Sequence, residues 1–300
     1  MINNVDIVAD LSWGDTGKGK VVSHLAKKRD YDFVCRWAGG NNAGHTVFIS
    51  GNKYKTHIVP CGVFHNVKSI IGPSCVVDPE ALNEELAYLE KHGFDTSLVK
   101  VSPRAHIVTK EHIEEDKAEL ADKLGTTSKG IAPCYRDKMA RTGQLAKDVL
   151  PESLLWDEKL YGDILCEGAQ GFYLDIDWGN YPYVTSSTTL PYGACSLGFP
   201  PQKIRHIWGI CKAYDTRSGV DPLFPEKLLK DRILSKLGTL GKEYGVTTGR
   251  KRACNWLNLD MMLDAARITG ATHLVVNKCD ILKDFGVFKL FHNGELMKFK

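Results

Sequence analysis

Apolar positions along this chain fall into short unbroken runs separated by polar, glycine-rich stretches. "VDIVADL" at 5–11 reads as a buried strand, and "KVVSHLAKK" at 20–28 follows with helical spacing. "DFVCRW" at 32–37 reads as a second strand and "SIIGPSCVV" at 69–77 as a third. "DPEALNEELAYLEKHG" is the clearest helix. Asp78 stands at its N-cap, Pro79 at the first helical position, Leu82, Leu86 and Leu89 on one stripe, and Gly93 just past the end. Further on, "DILCEGAQG", "IRHIWGICKAY" and "THLVVNKCD" each run from an apolar segment into a polar loop. Strands without polar alternation, interleaved with helices, predict an α/β fold with a mostly parallel central sheet flanked by helices. Loops that follow the strands of such a sheet gather at its carboxyl edge, where ligands bind.

Composition narrows the field. Three hundred residues at 43% hydrophobic suffice for a large core. With no repeat, low-complexity tract or long linker, the chain reads as one domain over residues 1–300. Lys and Arg number 39 against 36 Asp and Glu, so bulk charge gives no support to nucleic-acid binding. Nine cysteines lie singly between Cys35 and Cys279, a usage that suits reduced intracellular thiols and argues against a disulfide framework or a zinc site. The start "MINNVDIVAD" lacks a signal-peptide pattern, and no apolar run approaches about 18 residues. A soluble, cytoplasmic protein without membrane partners is expected.

The loop after the first strand carries the first chemical signal. Gly14-Asp15-Thr16-Gly17-Lys18-Gly19-Lys20 lies between a strand and a helix, an order that presents backbone N–H groups and a helix N-terminus to an anion. It is shorter than G-x-x-x-x-G-K-[ST], and Val21 stands where a magnesium-binding hydroxyl would be. By itself the loop also fits a glycine-rich turn with two solvated lysines. Far downstream, Asn277-Lys278-Cys279-Asp280 ends the strand "HLVV"; a carboxylate there suits the N1–H and 2-amino donors of guanine. Together the two segments point to a nucleoside triphosphate site.

Six segments, in order, then resemble one family. "WGDTGKGK", "GGNNAGHT" (39–46), "GTTSKGIAPCYRDKMAR" (125–141), "EGAQGFYLDIDWGNYPYVTSS" (167–187), "KAYDTRSG" (212–219) and "GVTTGRKR" (245–252) are similar to adenylosuccinate synthetase across nearly the whole chain. The resemblance implies that family's P-loop-like fold, and a ligase that joins L-aspartate to C6 of a purine nucleotide with a triphosphate and Mg2+. It makes Asp15 the base that strips the purine N1 proton, and a magnesium ligand with the Gly44 carbonyl. His45 would donate to O6 or to the transferring phosphoryl group. Gly14, Thr16, Gly17, Lys18, Gly19 and Lys20 would cradle phosphates, with Thr46 and Arg252 near the triphosphate and Asn277, Lys278 and Asp280 at its base. Asn42, Thr127, Gln170, Thr185 and Arg250 resemble the monophosphate site. Arg141 resembles the arginine that reaches the 5′-phosphate of a neighbouring subunit, which implies a homodimer. Val246, Thr247, Thr248, Gly249 and Arg250 match the loop that closes on aspartate.

The departures cluster around the purine. Thr16 replaces the usual glutamate after the base, and Ser12 replaces glutamine before the tryptophan. Arg217-Ser218-Gly219 replaces arginine-valine-glycine, and Asp221 follows in place of glycine. The pattern resembles a branch carried by bacteriophages that build 2-aminoadenine DNA, whose enzymes act on dGMP. Guanine and hypoxanthine share the N1–H/C6=O lactam and differ at C2, so Ser12 and Ser218 are the candidates to meet a 2-amino group. If the chain is phage-encoded, the host cytoplasm is its compartment. An ordinary synthetase using IMP and GTP is the alternative, with the serines as neutral changes. For the donor, Asn277–Asp280 favours GTP and the phage resemblance ATP or dATP; ATP is the expectation.

Two other classes compete. A GTPase-like switch would have no use for "GVTTGRKR", whose three cations at 250–252 suit carboxylates and phosphates. A nucleic-acid module would need an aromatic-basic alternation that the chain lacks.

Overall fold

The computed structural model describes residues 1–221, 224, 231–245 and 249–299. Its centre is a seven-stranded sheet. In chain order the strands are β1 (Ile2–Asp10), β2 (Phe33–Arg36), β3 (Lys68–Ile71), β4 (Val99–Val101), β5 (Gly162–Glu167), β6 (Ile204–Lys212) and β7 (His273–Asn277). They lie in the order β7-β6-β1-β5-β2-β3-β4, and every pair is parallel. The reason is visible in β1. Val5 and Ile7 pack into one core cluster with Phe33, Ile164 and Cys166, while Val8 enters another with Val34 and Leu165. A strand buried on both faces has no place for polar alternation, and both faces must be covered.

Because all seven strands run the same way, their carboxyl ends share one edge. Register sets Arg36 and Val8 both opposite Glu167, and Lys212 opposite Asn277. β1 lies between β5 and β6, where the direction of winding reverses, and the crevice at such a point is where ligands bind.

The helix expected after the third strand forms at Pro79–Lys91. Asp78 caps it, accepting from the N–H of Glu80 and Ala81. Gly93 takes φ 83°, its N–H meets Glu90 O, and the Phe94 N–H meets Leu89 O, which closes the C-terminus as a Schellman motif. Leu82 and Leu89 are fully buried, each worth roughly 1.5–3 kcal/mol of transfer free energy.

Two expectations change. "SIIGPSCVV" is not one strand. It splits at Gly72-Pro73 into β3 and a two-residue strand, Val76–Val77, that pairs with His106–Ile107. Pro73 has no N–H for a ladder, and at Gly72 an added Cβ would lie 2.5 Å from Arg36 O. "IRHIWGICKAY" likewise leaves the sheet after Lys212. Tyr214–Arg217 opens a second, four-stranded sheet with Ala253–Asn258, Phe288–His292 and Glu295–Phe299. Among the described residues no helix is long and apolar enough to cross a membrane.

Asp215 sits where the two sheets meet, is buried, and accepts from the Asn258 N–H. Burial, opposed by that N–H and by Lys212, pushes its carboxyl up to about 7. An acid near 3.9 in the unfolded chain then binds more protons when folded, so its contribution falls as pH rises from about 4 to about 7. Urea unfolding of Asp215→Asn against the parent should show the variant gaining relative stability across that window, by up to ~4 kcal/mol; a pH-independent difference would refute the assignment.

Candidate active site

Asp10, the last residue of β1, shapes the phosphate loop from beneath. Its Oδ1 accepts the N–H of Ser12 at 2.8 Å and of Gly14 at 3.3 Å. Its Oδ2 accepts the Thr16 hydroxyl and the Lys18 ammonium, the latter at 2.9 Å. The chain can wrap one carboxylate this closely because Gly14 and Gly17 take φ 83° and 100°, with Asp15 left-handed between them at 57°. Asn277 Nδ2 donates to Thr16 O at 2.8 Å and lies 2.8 Å from where a Gly17 Cβ would be. The helix Lys18–Lys28 then starts at the loop.

Asp15 meets an arginine. Its Oδ2 accepts Nε of Arg252 at 2.9 Å, has Nη2 of the same fork at 2.9 Å, and accepts the Ser218 hydroxyl at 3.4 Å. Among the described residues its Oδ1 takes no hydrogen bond. Nη1 of Arg252 reaches Glu243 at 2.7 Å.

His45 opens a hairpin, His45–Ile49 with Asn52–Thr56, that lies directly on the helix start. An added Cβ at Gly19 would lie 2.7 Å from His45 Cβ, so this helix position must be glycine. His45 Nδ1 lies 2.5 Å from Glu167 Oε1. Glu167 is fully buried at the end of β5 and also accepts from Cys61 N at 2.7 Å and Arg36 Nη1 at 3.4 Å. Burial alone would raise its carboxyl, but His45, Arg36 and the Cys61 N–H together hold it below the ordinary glutamate value. Burial lowers His45 against the pull of that carboxylate. The consistent state is a neutral imidazole whose Nδ1–H donates to an ionised Glu167, which leaves Nε2 as the nitrogen for chemistry.

Asp15, His45, Ser218 and Arg252 border one cavity of about 850 Å³. Of the residues expected at the site, Gly14, Asp15, Gly17, Lys18, Gly19 and Lys278 line it, with Gly44, His45, Thr46 and Arg252. Asn42, Thr127, Gln170, Thr185 and Ser218 line it too. Gln170, at φ 53°, donates Nε2–H to Asn42 Oδ1 at 3.1 Å, and its buried Oε1 has no partner among the described residues. An acceptor left open at a cavity wall fits a ligand donor.

The other expected residues stand back from the lining. Ser12 is buried, its N–H on Asp10, and Thr16 turns inward to the same carboxylate. Lys20 is exposed on the helix, and Asn277 lies beneath the loop. Asp280 is exposed in the first turn of the helix Cys279–Phe285. Arg141 is exposed at φ 66°. Gly249 is described at φ 65°, and Arg250 donates to Gly125 O at 3.2 Å. Val246, Thr247 and Thr248 lie outside the described residues.

Sequence reasoning assigned no role to Asp10, Glu167 or Glu243, buried carboxylates that hold Lys18, His45 and Arg252 at the cavity. For Asp10 and Glu167 a signal existed: an acid that ends an unbroken apolar strand, as in "VDIVAD" and "DILCE", needs a buried partner. Glu243 lies in a loop with no such pattern.

The family profile for adenylosuccinate synthetase matches residues 7–162 and 153–293. The chain belongs to the adenylosuccinate synthetase family. It is therefore a carbon–nitrogen ligase. Adenylosuccinate synthetases of Shouchella clausii and Desulforapulum autotrophicum are 38% and 39% identical to it, each over 95% of this chain and 79% of their own. Fully ligated adenylosuccinate synthetase from Plasmodium falciparum is 30% identical and superposes with a TM-score of 0.85 over 98% of this chain and 82% of its own. Cyanophage S-2L succinoaminodeoxyadenylate synthetase (PurZ), solved with dGMP and with dATP as an energy donor, is 20% identical with a TM-score of 0.74. That alignment covers 99% of this chain and 96% of the phage one, and the likeness is one of fold.

In this ligase Glu167 joins the imidazole to the core. Glu167→Ala should destabilise the fold by about 3–5 kcal/mol in urea melts, because Arg36 is left buried without its carboxylate. Glu167→Gln, which keeps the shape and an acceptor, should lose less; equal losses would mean that packing, not charge, holds this cluster.

Proposed function

We propose that this ligase joins L-aspartate to C6 of dGMP with ATP as phosphate donor. The product would be N6-succino-2-amino-2′-deoxyadenylate, formed through a 6-phosphoryl intermediate. The observation that carries the choice of purine is Ser218, whose hydroxyl lines the cavity 3.4 Å from Asp15 Oδ2. A base that works at N1 stands next to C2, the atom bonded to N1. A hydroxyl beside that base can donate to the carboxylate and accept from a 2-amino group.

The steps follow from the lactam. Asp15 takes the N1 proton, negative charge moves to O6, and O6 attacks the γ-phosphorus as the donor's diphosphate leaves. The aspartate amine then adds at C6 and expels phosphate. His45, held by Glu167, presents Nε2 to O6 or to the moving phosphoryl group. The loop N–H groups and Lys18 face the phosphates, and Gln170 and Asn42 orient the monophosphate. Arg250 and the loop at 246–250 receive the carboxylates of aspartate.

Mg2+ suits the oxygens here. Asp15 Oδ1 takes no protein hydrogen bond among the described residues and Gly44 borders the same cavity, so these two would hold a hard cation that offsets the phosphate charge. For the donor, Asn277 and Lys278 are engaged by Thr16 O and Gly241 O, and Asp280 stands exposed off the cavity, a poor setting for reading guanine. Arg141, exposed and away from its own cavity, suits a reach to the 5′-phosphate held by a second copy in a homodimer.

A second reading has its own support: relatives 38% and 39% identical over 95% of the chain are adenylosuccinate synthetases, which favours IMP with GTP. Phosphate release with L-aspartate decides between them, measured for dGMP, GMP, IMP and dIMP against ATP, dATP and GTP. Turnover should be highest with dGMP and ATP; turnover confined to IMP would reject the dGMP reading. Asp15→Asn should lower kcat by about 100-fold or more. Ser218→Ala removes a donor from Asp15 with either purine, and should lower kcat/KM for dGMP by roughly 5- to 150-fold more than for IMP, the worth of about 1–3 kcal/mol.

A further inference from the structure

One buried carboxylate near the cavity has no part in the chemistry above. Glu243 is 1% exposed, yet four donors surround it. Lys212 Nζ reaches it at 2.9 Å, Tyr214 OH at 2.6 Å and Arg252 Nη1 at 2.7 Å, with Lys278 Nζ at 3.6 Å. Burial alone would raise its carboxyl, but Lys212, Tyr214 and Arg252 hold it down to about 2. It is an anion throughout any working pH.

Its position joins three parts of the site. Lys212 ends β6 and anchors Glu243 to the central sheet. Lys278 follows β7 and lines the cavity. Arg252 donates its backbone N–H to Glu243 O at 3.1 Å, Tyr244 bridges Lys251, and Gly245 N meets Arg250 O at 2.8 Å. Glu243 and Arg252 therefore close the neck of the segment that carries the expected aspartate contacts. The Arg252 fork is planar and rigid. With Nη1 on Glu243 and both Nε and Nη2 on Asp15, the guanidinium fixes how the two carboxylates face each other.

We propose that Glu243 is a positioning residue for the transfer step. It locks the Arg252 guanidinium and, through it, sets the orientation of the Asp15 carboxylate. An uncharged amide at 243 would replace the charge-assisted bond to Nη1 by a weaker one, and the fork would be held less firmly against Asp15. The inference rests on the reading of Asp15 as the base, and it assigns no substrate contact to Glu243.

A double-mutant cycle tests it, with aspartate-dependent phosphate release as the assay. Glu243→Gln should lower kcat about tenfold or more and leave KM for the purine monophosphate within about threefold. In an Arg252→Met background the same change should alter kcat by less than about twofold, because the group it acts through is gone. An equal fall in both backgrounds, or an unchanged kcat with only a lowered Tm, would overturn the proposal. If Glu243→Gln does not fold because Lys212 is left unpaired, Lys212→Met/Glu243→Gln removes the pair and gives the same comparison. Asp15→Asn separates the two readings. Full activity in that variant would overturn both, whereas an inactive Asp15→Asn with additive effects at 243 and 252 would overturn this inference alone.

Discussion

A carboxylate buried at the end of a parallel strand cannot be left without donors, and the active edge of this protein is organised by that requirement. Asp10 has almost no solvent, so the loop bends round it until two N–H groups, one hydroxyl and one ammonium are satisfied. The bend puts Gly14, Asp15 and Gly17 in left-handed conformations and aims the helix start at the cavity. A loop proposed to bind anions thus takes its shape from an anion held beneath it. Lys18 balances that inner charge and still borders the cavity.

The same device recurs twice. Glu167 sits under His45 with Arg36, and Glu243 sits under Arg252 with Lys212. In each case a buried acid holds a functional group that faces the ligand space. Charged pairs in so dry a place are costly to break, about 3–5 kcal/mol when one partner is lost. They contribute little net stability over apolar packing, and their value lies in fixed orientation, which catalysis by preorganised charge requires. Preorganisation here belongs to the lower row of acids as much as to the upper row of ligand-facing groups.

The departures from the family pattern fit this arrangement. Thr16, where the resemblance leads one to expect an acid, donates its hydroxyl to Asp10; a glutamate carboxylate there would bring a second negative group toward the first. Asp221 replaces a glycine and is buried, accepting from the Trp13 indole, Asn180 and Arg217. It ties the loop that bears Ser218 to the tryptophan just before the phosphate loop. These contacts brace the side of the cavity that Ser218 and Arg217 line.

The sequence by itself determined the sheet and the capped helix, and it singled out many of the residues that the fold then sets around one cavity. Unbroken apolar runs have one stable use, a doubly covered parallel strand. Asp78, Pro79 and Gly93 act on their own backbone within a few residues, and the loop at 14–20 is continuous in the chain. Tertiary structure alone decided the partners: that Asp15 meets Arg252 across 237 positions, that His45 leans on Glu167, and that Ser12 turns away while Ser218 faces the cavity. It also decided that "SIIGPSCVV" breaks at Gly72 and that the chain leaves the sheet after Lys212. The physical reason is distance along the chain. Propensity and capping are local free energies, whereas a buried charge chooses its partner from whatever the fold brings within about 3 Å.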